Sequence, residues 1–585
     1  MPRIVDPFYG YIPLEEYEEK LIDTMLFQRL RGIHQSGTAF LTYPASNHTR
    51  FQHSLGVMHV ASRAYDFLWS NYLDDLEHDT KEVLGKTVDN PSKCFRPLIR
   101  LASLLHDLCH GPFSHVSELV CARATKHKKP HETILLQLLQ STDKISLTNL
   151  IKEKVKKNIP EIEEVLAALP HFFEESNIKF KEKDLYYGNF YKKLIDGEID
   201  ADNMDYLIRD TYVTGSPILW LDIETILQNI CYINERILKN KFEEFKKRIK
   251  GKLKDDWSSI TFKIDNLKLD DYIDHYLKHL DYSIIFGKRS ISALENFVIA
   301  RRKLYRWLNF HHTVCFTDEL MYRMIRLGII AGSFKEEYFG EEAYKELIAL
   351  DMNKKLSGKS NGKVRLKAKD NNGSIVIIQD VDADSIPIVD DHFIIEKIRR
   401  IRKDSMVDKY AKDEIEGKNA VDQICEYYRM MMRLSDYKPL WKVSLVEIKE
   451  TEGLIKAWRK LGEIRGESMR NASYKFDETI NAKEREINDK IMENYGSEFK
   501  DEPSPIIAFK PYHAIKQNFY PVIMVNEDRK NPELKVLDEI PNIIPQLRQA
   551  SKDVALYVYF KMPKQHIDDQ KLNNIIEDSI EILIE

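Results

Sequence analysis

The chain has 585 residues, a formal net charge of −5, and only 22 glycines and 21 prolines. This length exceeds one ordinary domain, and the composition favours helix over disorder. The near balance of 88 basic and 93 acidic residues excludes a nucleic-acid binder that works through overall positive charge.

The histidines are concentrated near the start of the chain. Ten of the 18 fall at or before His131, where an even spread would place about four. The six cysteines are scattered without a CxxC pair, which argues against a thiolate zinc site or a disulfide scaffold. The N-terminus has no basic stretch followed by an apolar one, and no apolar run approaches about 18 residues. We therefore expect a soluble, cytoplasmic protein with reduced thiols and no membrane partner.

Helical periodicity dominates the first 350 residues. Apolar residues on one face predict a helix between Leu55 and Trp69, and another over 96–108, where Pro97 suits a first turn. The charge-dense segment 240–257 predicts an exposed helical insertion, with a phosphate-binding surface as the alternative. The polar, basic and glycine-containing stretch 353–373 predicts a linker or mobile loop.

Beyond residue 373 the pattern changes. The short apolar runs Ser374–Asp380, Tyr520–Val525 and Val554–Phe560 predict strands, with helical stretches between them. The predicted fold class is mainly α, with a helical core and a smaller α+β C-terminal portion. The expected divisions are a helical domain over 1–350 with an insertion at 236–285, a linker or mobile loop over 351–373, and the C-terminal region 374–585.

The adjacent pair His106 and Asp107 lies where the apolar period of its helix ends, just before Gly111 and Pro112. Adjacent residues on a helix point about 100° apart, so both can face one ion only near a helix end or bend. With His53 upstream and the carboxylates of 199–210, two imidazoles and several oxygens are available. Such a set suits six-coordinate Mn, Fe or Mg with open positions for water, although a His-Asp dipeptide alone is usually structural.

Five strings follow one another along the chain: NHTRFQHSLGVMHV (47–60), LASLLHDLCHGPFSH (101–115), PHET (130–133), IDADNMDYLIRD (199–210) and ARRKLY (300–305). With these strings the chain resembles the HD-domain superfamily, and within it the branch of deoxynucleoside triphosphate (dNTP) triphosphohydrolases. The similarity includes VDPFYGYI (5–12) and IDTMLFQRLRGIHQSG (22–37), covers 5–215, and resumes more weakly around 286–330.

The resemblance implies a helical HD domain that uses a divalent ion (Mg, Mn, Fe or similar) to cleave a dNTP into deoxynucleoside and inorganic triphosphate. On the matching positions, the implied metal ligands are His53, His106, Asp107 and Asp202. The implied catalytic residues are His110, His115, Glu118 and His131. We favour His115 as the proton donor to the leaving oxygen, because a neighbouring carboxylate raises a histidine pKa. The three histidines could exchange roles, and for Asp205 we expect a helix-side hydrogen bond or salt bridge.

The resemblance also implies a substrate shell made of Gln35, Arg50, Asn203, Tyr206, Asp210, Arg301 and Tyr305. The two arginines would engage phosphate oxygens through the guanidinium fork. Tyr206 would lie near the sugar, and Asp210 with Gln35 would accept from the 3′-hydroxyl.

A second, allosteric nucleotide site is implied at a subunit interface by Asp23, Gln28 and Arg31, with Lys288 and Arg289 as further candidates. An aspartate accepts from guanine N1 and N2 hydrogens, and an arginine donates to O6 or phosphate. We therefore expect a nucleotide-regulated homo-oligomer, a dimer or tetramer, with the C-terminal region in a regulatory or oligomerisation role. Control of dNTP pools, and defence against viruses or phages, follow by family analogy only.

Three positions depart from the family pattern, namely Ser36, Asn203 and Asn309. They leave open a phosphohydrolase acting on another substrate: a phosphomonoester, a ribonucleotide or a cyclic nucleotide. A non-catalytic nucleotide-binding or nucleic-acid-binding protein, using the basic segments 239–254 and 354–369, is a further alternative.

Overall fold

A computed structural model gives the fold of the chain. The structure describes residues 2–84, 91–155, 162–174, 179–180, 183–184, 191–197, 199–216, 221–233, 240–241, 243–248, 250–251, 284–353, 363–369, 375–382, 388–403, 414–432, 437–440, 451–496, 504–511, 522–526, 528, 531–536, 555–561 and 569–585.

The predicted fold class is confirmed, since the described residues are mainly α-helical. The helices are α1 (Glu16–Ile22), α2 (Met25–Gln28), α3 (Arg50–Asn71), α4 (Leu73–Leu84), α5 (Pro91–Leu105), α6 (Glu118–Thr125), α7 (Pro130–Gln140), α8 (Leu147–Val155), α9 (Ile162–Ala168), α10 (Ala201–Thr214), α11 (Ile223–Gln228), α12 (Ile291–Leu304), α13 (His312–Ile330), α14 (Glu341–Asn353), α15 (Asp391–Lys403), α16 (Glu414–Met432), α17 (Thr451–Arg470), α18 (Lys475–Tyr495) and α19 (Asp569–Ile584). No helix among the described residues is both long and apolar enough to cross a membrane.

The strands are short and form small sheets. They are β1 (Arg3–Asp6), β2 (Gly10–Pro13), β3 (Lys179–Phe180), β4 (Lys183–Asp184), β5 (Ile230–Cys231), β6 (Ile285–Gly287), β7 (Lys363–Lys369), β8 (Ile375–Asp382), β9 (Tyr437–Pro439), β10 (Ile506–Lys510), β11 (Val522–Met524), β12 (Leu534–Val536) and β13 (Ala555–Lys561). Three hairpins (β1–β2, β3–β4 and β7–β8) accompany a sheet of order β10-β13-β9 and another of order β12-β11-β6-β5.

The predicted helices near the start of the chain are present, and α5 carries the expected apolar face. Leu98, Leu101, Ala102 and Leu105 recur at helical spacing and are all buried. The assignment of Pro97 to a first turn was wrong, because α5 begins at Pro91 and Pro97 lies inside the helix.

The three predicted C-terminal strands are also present as β8, β11 and β13. The predicted linker needs correction, because its residues 363–369 form β7 and pair antiparallel with β8. Residues 354–362 and 370–373 of that segment lie outside the described residues. In the predicted insertion, residues 243–248 are helical and mostly exposed, while 252–283 lie outside the described residues.

The C-terminal portion shares its packing with the first 350 residues. One hydrophobic core surrounds α3, α5 and α10, and a second combines α6 and α13 with α16–α19 and the sheet β10-β13-β9. Strand β11 also pairs in parallel with β6. The chain position near 350 is therefore not a boundary between separate cores.

Candidate metal centre and active site

Three side chains from three helical segments converge on one point. His53 lies in the second turn of α3, His106 directly follows α5, and Asp202 lies in the first turn of α10. Their ligand atoms are all within 4.8 Å of one another. The Nε2 atom of His53 is 2.9 Å from Asp202 Oδ1, and that of His106 is 4.0 Å away.

Local sequence explains these positions. Thr49 and Gln52 form a capping box that starts α3, which places His53 one turn into the helix. The Asp200 carboxylate caps α10 by accepting from the Asn203 N–H at 2.6 Å, which sets the first turn that contains Asp202. The site is thus assembled from helix ends.

Both imidazoles are oriented to present Nε2 to the centre. The Nδ1 atom of His53 is 2.8 Å from Asp205 Oδ2, and that of His106 is 2.7 Å from the carbonyl oxygen of Ser103. With hydrogen on Nδ1, each buried Nε2 can offer its lone pair to an ion, and that of His53 is already in ion-pair distance of Asp202. Two buried Nε2 atoms converging beside a carboxylate fit a divalent metal ion.

Asp107 lies between this centre and two side chains that could bind phosphate, Arg50 and His110. Its Oδ2 lies 3.6 Å from His53 Nε2 and 3.5 Å from His106 Nε2, and it accepts from the Arg50 guanidinium. Its Oδ1 is 3.3 Å from His110 Nε2. Burial would raise the pKa of Asp107, but Arg50, His106 and His110 hold it well below its usual value. The carboxylate is therefore charged and adjacent to the three converging ligands.

A buried network of charged side chains contacts His53 on the side opposite its Nε2 atom. Arg209, only 1% exposed, donates to both oxygens of Asp205 and to Asp6 at 2.9–3.0 Å. Burial opposes ionisation of Asp205, but Arg209 and His53 lower its pKa. The expected helix-side salt bridge of Asp205 is present, and its hydrogen bond to His53 was not expected from the sequence.

Gly56 permits this close approach of α3 and α10. A Cβ atom at Gly56 would lie 1.8 Å from Asp205 Oδ1 and 2.6 Å from an Arg209 nitrogen. We expect Gly56→Ala to lower the free energy of unfolding by about 1–3 kcal/mol, because overpacking against a fixed ion pair outweighs the helix propensity of alanine. Urea denaturation measures this loss. Gly466→Ala, with Arg470 Nη1 as the nearest atom at 3.7 Å, is the control and should be neutral or slightly stabilising.

The three remaining histidines lie together beside Asp107. The rings of His110 and His131 stack with centroids 3.9 Å apart and an interplanar angle of 20°, and His115 meets His110 edge-on at 5.2 Å. His115 Nδ1 is 3.7 Å from Glu118 Oε1, and Arg465 of α17 is 3.8 Å from the other oxygen. His115, Glu118 and Arg465 also line an open cleft on this side of the cluster.

These histidines differ in solvent contact and charge. Burial lowers the pKa of His131 to about 4, so its ring is neutral near pH 7. Burial disfavours the charged form of Glu118, but His115 and Arg465 outweigh it and lower its pKa to about 2. His115 is 49% exposed and faces this carboxylate, an arrangement suited to proton transfer.

Four of the expected substrate-shell residues form a second cluster. Arg301 and Tyr206 both donate to Asn203 Oδ1, the tyrosine at 3.0 Å. The Arg301 guanidinium lies over the Tyr206 and Tyr305 rings at 5.8 and 5.5 Å. Tyr305 begins a π-helical turn that continues α12 to Asn309, a distortion often found at functional sites.

Two further members of this shell, Asp210 and Gln35, lie next to His48, which the sequence analysis did not assign to the site. Asp210 Oδ1 is 2.6 Å from His48 Nε2, and both residues are buried. The Gln35 N–H donates to the His48 carbonyl at 3.1 Å, and Gln35 Oε1 is buried without a hydrogen bond among the described residues. Only its place in the string before Arg50 could have singled out His48.

The implied allosteric residues fall in two places. Arg31 donates through Nε to Gln28 Oε1 at 2.7 Å, and Asp23 opposes the lowering of the Arg31 pKa by burial. Lys288 and Arg289 are exposed on a 3₁₀ turn that packs against α11 and α12. The first three residues share a surface near the start of the chain.

Comparison with known proteins agrees with this geometry. Residues 50–210, which contain all four implied metal ligands, match the family model described as HD domain. This segment is similar to HD domains. The match spans α3 to α10, the helices that bring the converging ligands together.

Two relatives show how far the likeness extends. An uncharacterized protein of Methanocaldococcus jannaschii is 28% identical over 327 residues, 56% of this chain and 49% of its own length. The deoxynucleoside triphosphate triphosphohydrolase SAMHD1 of Bos taurus is 32% identical over 232 residues, 37% of this chain and 36% of that protein. The chain thus matches about half or less of each relative.

A solved structure agrees in fold. A phosphohydrolase from Bacteroides thetaiotaomicron has a TM-score of 0.50 and 18% sequence identity, and the superposition covers 96% of this chain and 100% of that one. The C-terminal portion is therefore included in the shared fold.

Proposed function

We propose that the protein is a metal-dependent phosphohydrolase that cleaves a dNTP into deoxynucleoside and inorganic triphosphate. The observation that carries the proposal is the convergence of two imidazole Nε2 atoms and the Asp202 carboxylate, beside a charged Asp107 and a guanidinium. The HD-domain match and the names of the triphosphohydrolase relatives support this choice of reaction.

His53, His106 and Asp202, with Asp107 adjacent, would hold the divalent ion. When bound, such an ion lowers the pKa of a coordinated water and polarises a phosphoryl oxygen. Arg50 is fixed by Asp107 and by the Ser114 hydroxyl at 2.8 Å, so its guanidinium can hold a phosphate without a large loss of side-chain entropy.

The leaving 5′-oxygen of a nucleoside needs a proton, because an alkoxide is a poor leaving group. His115 is the proposed donor, since its ring is half exposed and its Nδ1 atom lies 3.7 Å from Glu118 Oε1. His110 is buried, His131 is half-buried and their rings stack, so we assign both to holding phosphate oxygens. Tyr206, Asp210 and their neighbours would bind the sugar.

We further propose nucleotide-linked regulation in a homo-oligomer, through the surface formed by Asp23, Gln28 and Arg31. A carboxylate, an amide and a guanidinium within one exposed cluster can read the donor and acceptor edge of a guanine. Assembly that depends on added nucleotide, measured by sedimentation, tests this part separately from turnover.

The reaction is tested by incubating the protein with each dNTP and with GTP, in the presence of Mg²⁺, Mn²⁺ or Fe²⁺. We expect deoxynucleoside and intact triphosphate, separated by anion-exchange chromatography, at rates above those of a His106→Ala control. Release of orthophosphate or a monophosphate would contradict the proposed bond cleavage. Equal rates with GTP and dGTP would instead favour a broader nucleotide specificity, as the replacements at Ser36 and Asn203 allow.

A further inference from the structure

The loop after His106 and Asp107 has an unusual backbone. Phe113 and Ser114 have φ angles of 54° and 57°, which places two consecutive non-glycine residues in the left-handed region. Such residues persist only where the surrounding structure holds them, and they are frequent at active sites. This strained pair directly precedes His115.

One carboxylate from the C-terminal portion holds this loop. Asp391, fully buried in the first turn of α15, accepts from the Phe113 N–H through Oδ1. Its Oδ2 accepts from the His34 N–H at 2.9 Å and lies 2.7 Å from His34 Nδ1. Asp391 thus ties together two segments that are far apart in the sequence.

Both tied segments lead to the candidate active site. The Ser114 hydroxyl donates to the His34 carbonyl at 2.6 Å and accepts from Arg50 Nε at 2.8 Å. His34 is followed by Gln35, whose buried amide oxygen belongs to the substrate shell. The carboxylate therefore lies one hydrogen bond away from the groups that fix the guanidinium.

We propose that Asp391 is a positioning residue, which keeps the loop 111–115 and His34 in the arrangement that aims Arg50 and His115 at the substrate. It lies outside the matched HD segment, so this role gives the C-terminal portion a direct part in building the site. The effect on turnover rests on the proposed phosphohydrolase function, whereas the effect on the loop does not.

The test compares Asp391→Asn with Asp390→Asn in the full chain. The asparagine at 391 keeps the side-chain shape but has one acceptor oxygen, so it must give up either Phe113 or His34. Asp390 accepts from the Phe393 N–H at 2.9 Å, a capping bond that asparagine also makes. The control therefore removes one charge at the same helix end without touching the loop.

Three readouts are needed. Residue-resolved hydrogen exchange should speed up at least about tenfold at Phe113 or at His34 in Asp391→Asn, since one of these two N–H groups loses its acceptor. Turnover per metal-loaded site, measured well below the melting temperature, should fall about tenfold or more. The Mn²⁺ dissociation constant should stay within about threefold, because the three converging ligands do not contact Asp391. Asp390→Asn should match wild type in all three.

Unchanged exchange at both Phe113 and His34, or unchanged turnover per metal-loaded site despite a lower melting temperature, would overturn the proposal. If the wild-type protein hydrolyses no nucleotide, the proposed function fails. The exchange and Mn²⁺ measurements would still decide whether Asp391 holds the loop.

Discussion

Asp202→Asn and His106→Ala are each expected to lower turnover by a factor on the order of 10³, because loss of a metal ligand removes charge stabilisation needed only in the transition state. Both variants should fold. The side chains are 38% and 12% exposed, so neither change opens a large cavity in the core. Bound metal per chain, turnover and thermal melting of the EDTA-treated protein separate loss of the ion from loss of the fold.

His127→Ala is the matched control. This residue also belongs to the histidine-rich first part of the chain, but it is exposed and outside the site, so the variant should bind metal and turn over like wild type. Retention of both metal and turnover by His106→Ala and Asp202→Asn would show that the converging side chains are not the metal centre.

Much of this centre was accessible from the sequence because its signals are local. The apolar period of α5 ends at Leu105, and Gly111 and Pro112 prevent the helix from continuing, so His106 and Asp107 had to lie at a helix end. The strings around His53 and Asp202 carried the resemblance. The structure adds that Asp202 approaches the two imidazoles, whereas Asp107 is largely engaged by Arg50 and His110.

The supporting residues were not accessible, because their partners are distant in the chain. Asp391 contacts Phe113 across 278 positions, and Arg465 approaches Glu118 from α17. A carboxylate at the start of a helix can cap that helix or accept hydrogen bonds from a distant segment. The local sequence does not distinguish these two roles. His48 was missed for the same reason, since its partner Asp210 is 162 positions away.

The wrong prediction of a linker at 363–369 can be traced to the sequence pattern itself. Residues 363–369, KVRLKAK, alternate between basic and apolar side chains, which is the period of a strand. The polar and glycine-containing residues on either side favoured a linker and outweighed this alternation. The pairing of β7 with β8 shows that the alternation of basic and apolar residues was the better guide than the polar composition of the segment.

The second large effect concerns Asp205→Asn. The isosteric amide leaves buried Arg209 with one carboxylate fewer, and breaking a buried ion pair costs about 3–5 kcal/mol of unfolding free energy. The same change weakens the acceptor for His53 Nδ1, which should reduce metal affinity by about 10- to 100-fold. Urea denaturation in EDTA gives the first effect without the stabilisation that bound metal adds. Mn²⁺ titration gives the second.

Asp6→Asn separates two roles of the Asp205–Arg209–Asp6 network: stabilising the fold and orienting His53. Asp6 also pairs with Arg209, at 2.9 Å, but the acceptor for His53 is Asp205. The Asp6 variant should therefore lose stability while keeping wild-type Mn²⁺ affinity. If both variants weakened Mn²⁺ binding equally, the loss would follow from loosening of α10 as a whole, and the assignment of Asp205 as the group that orients His53 would be wrong.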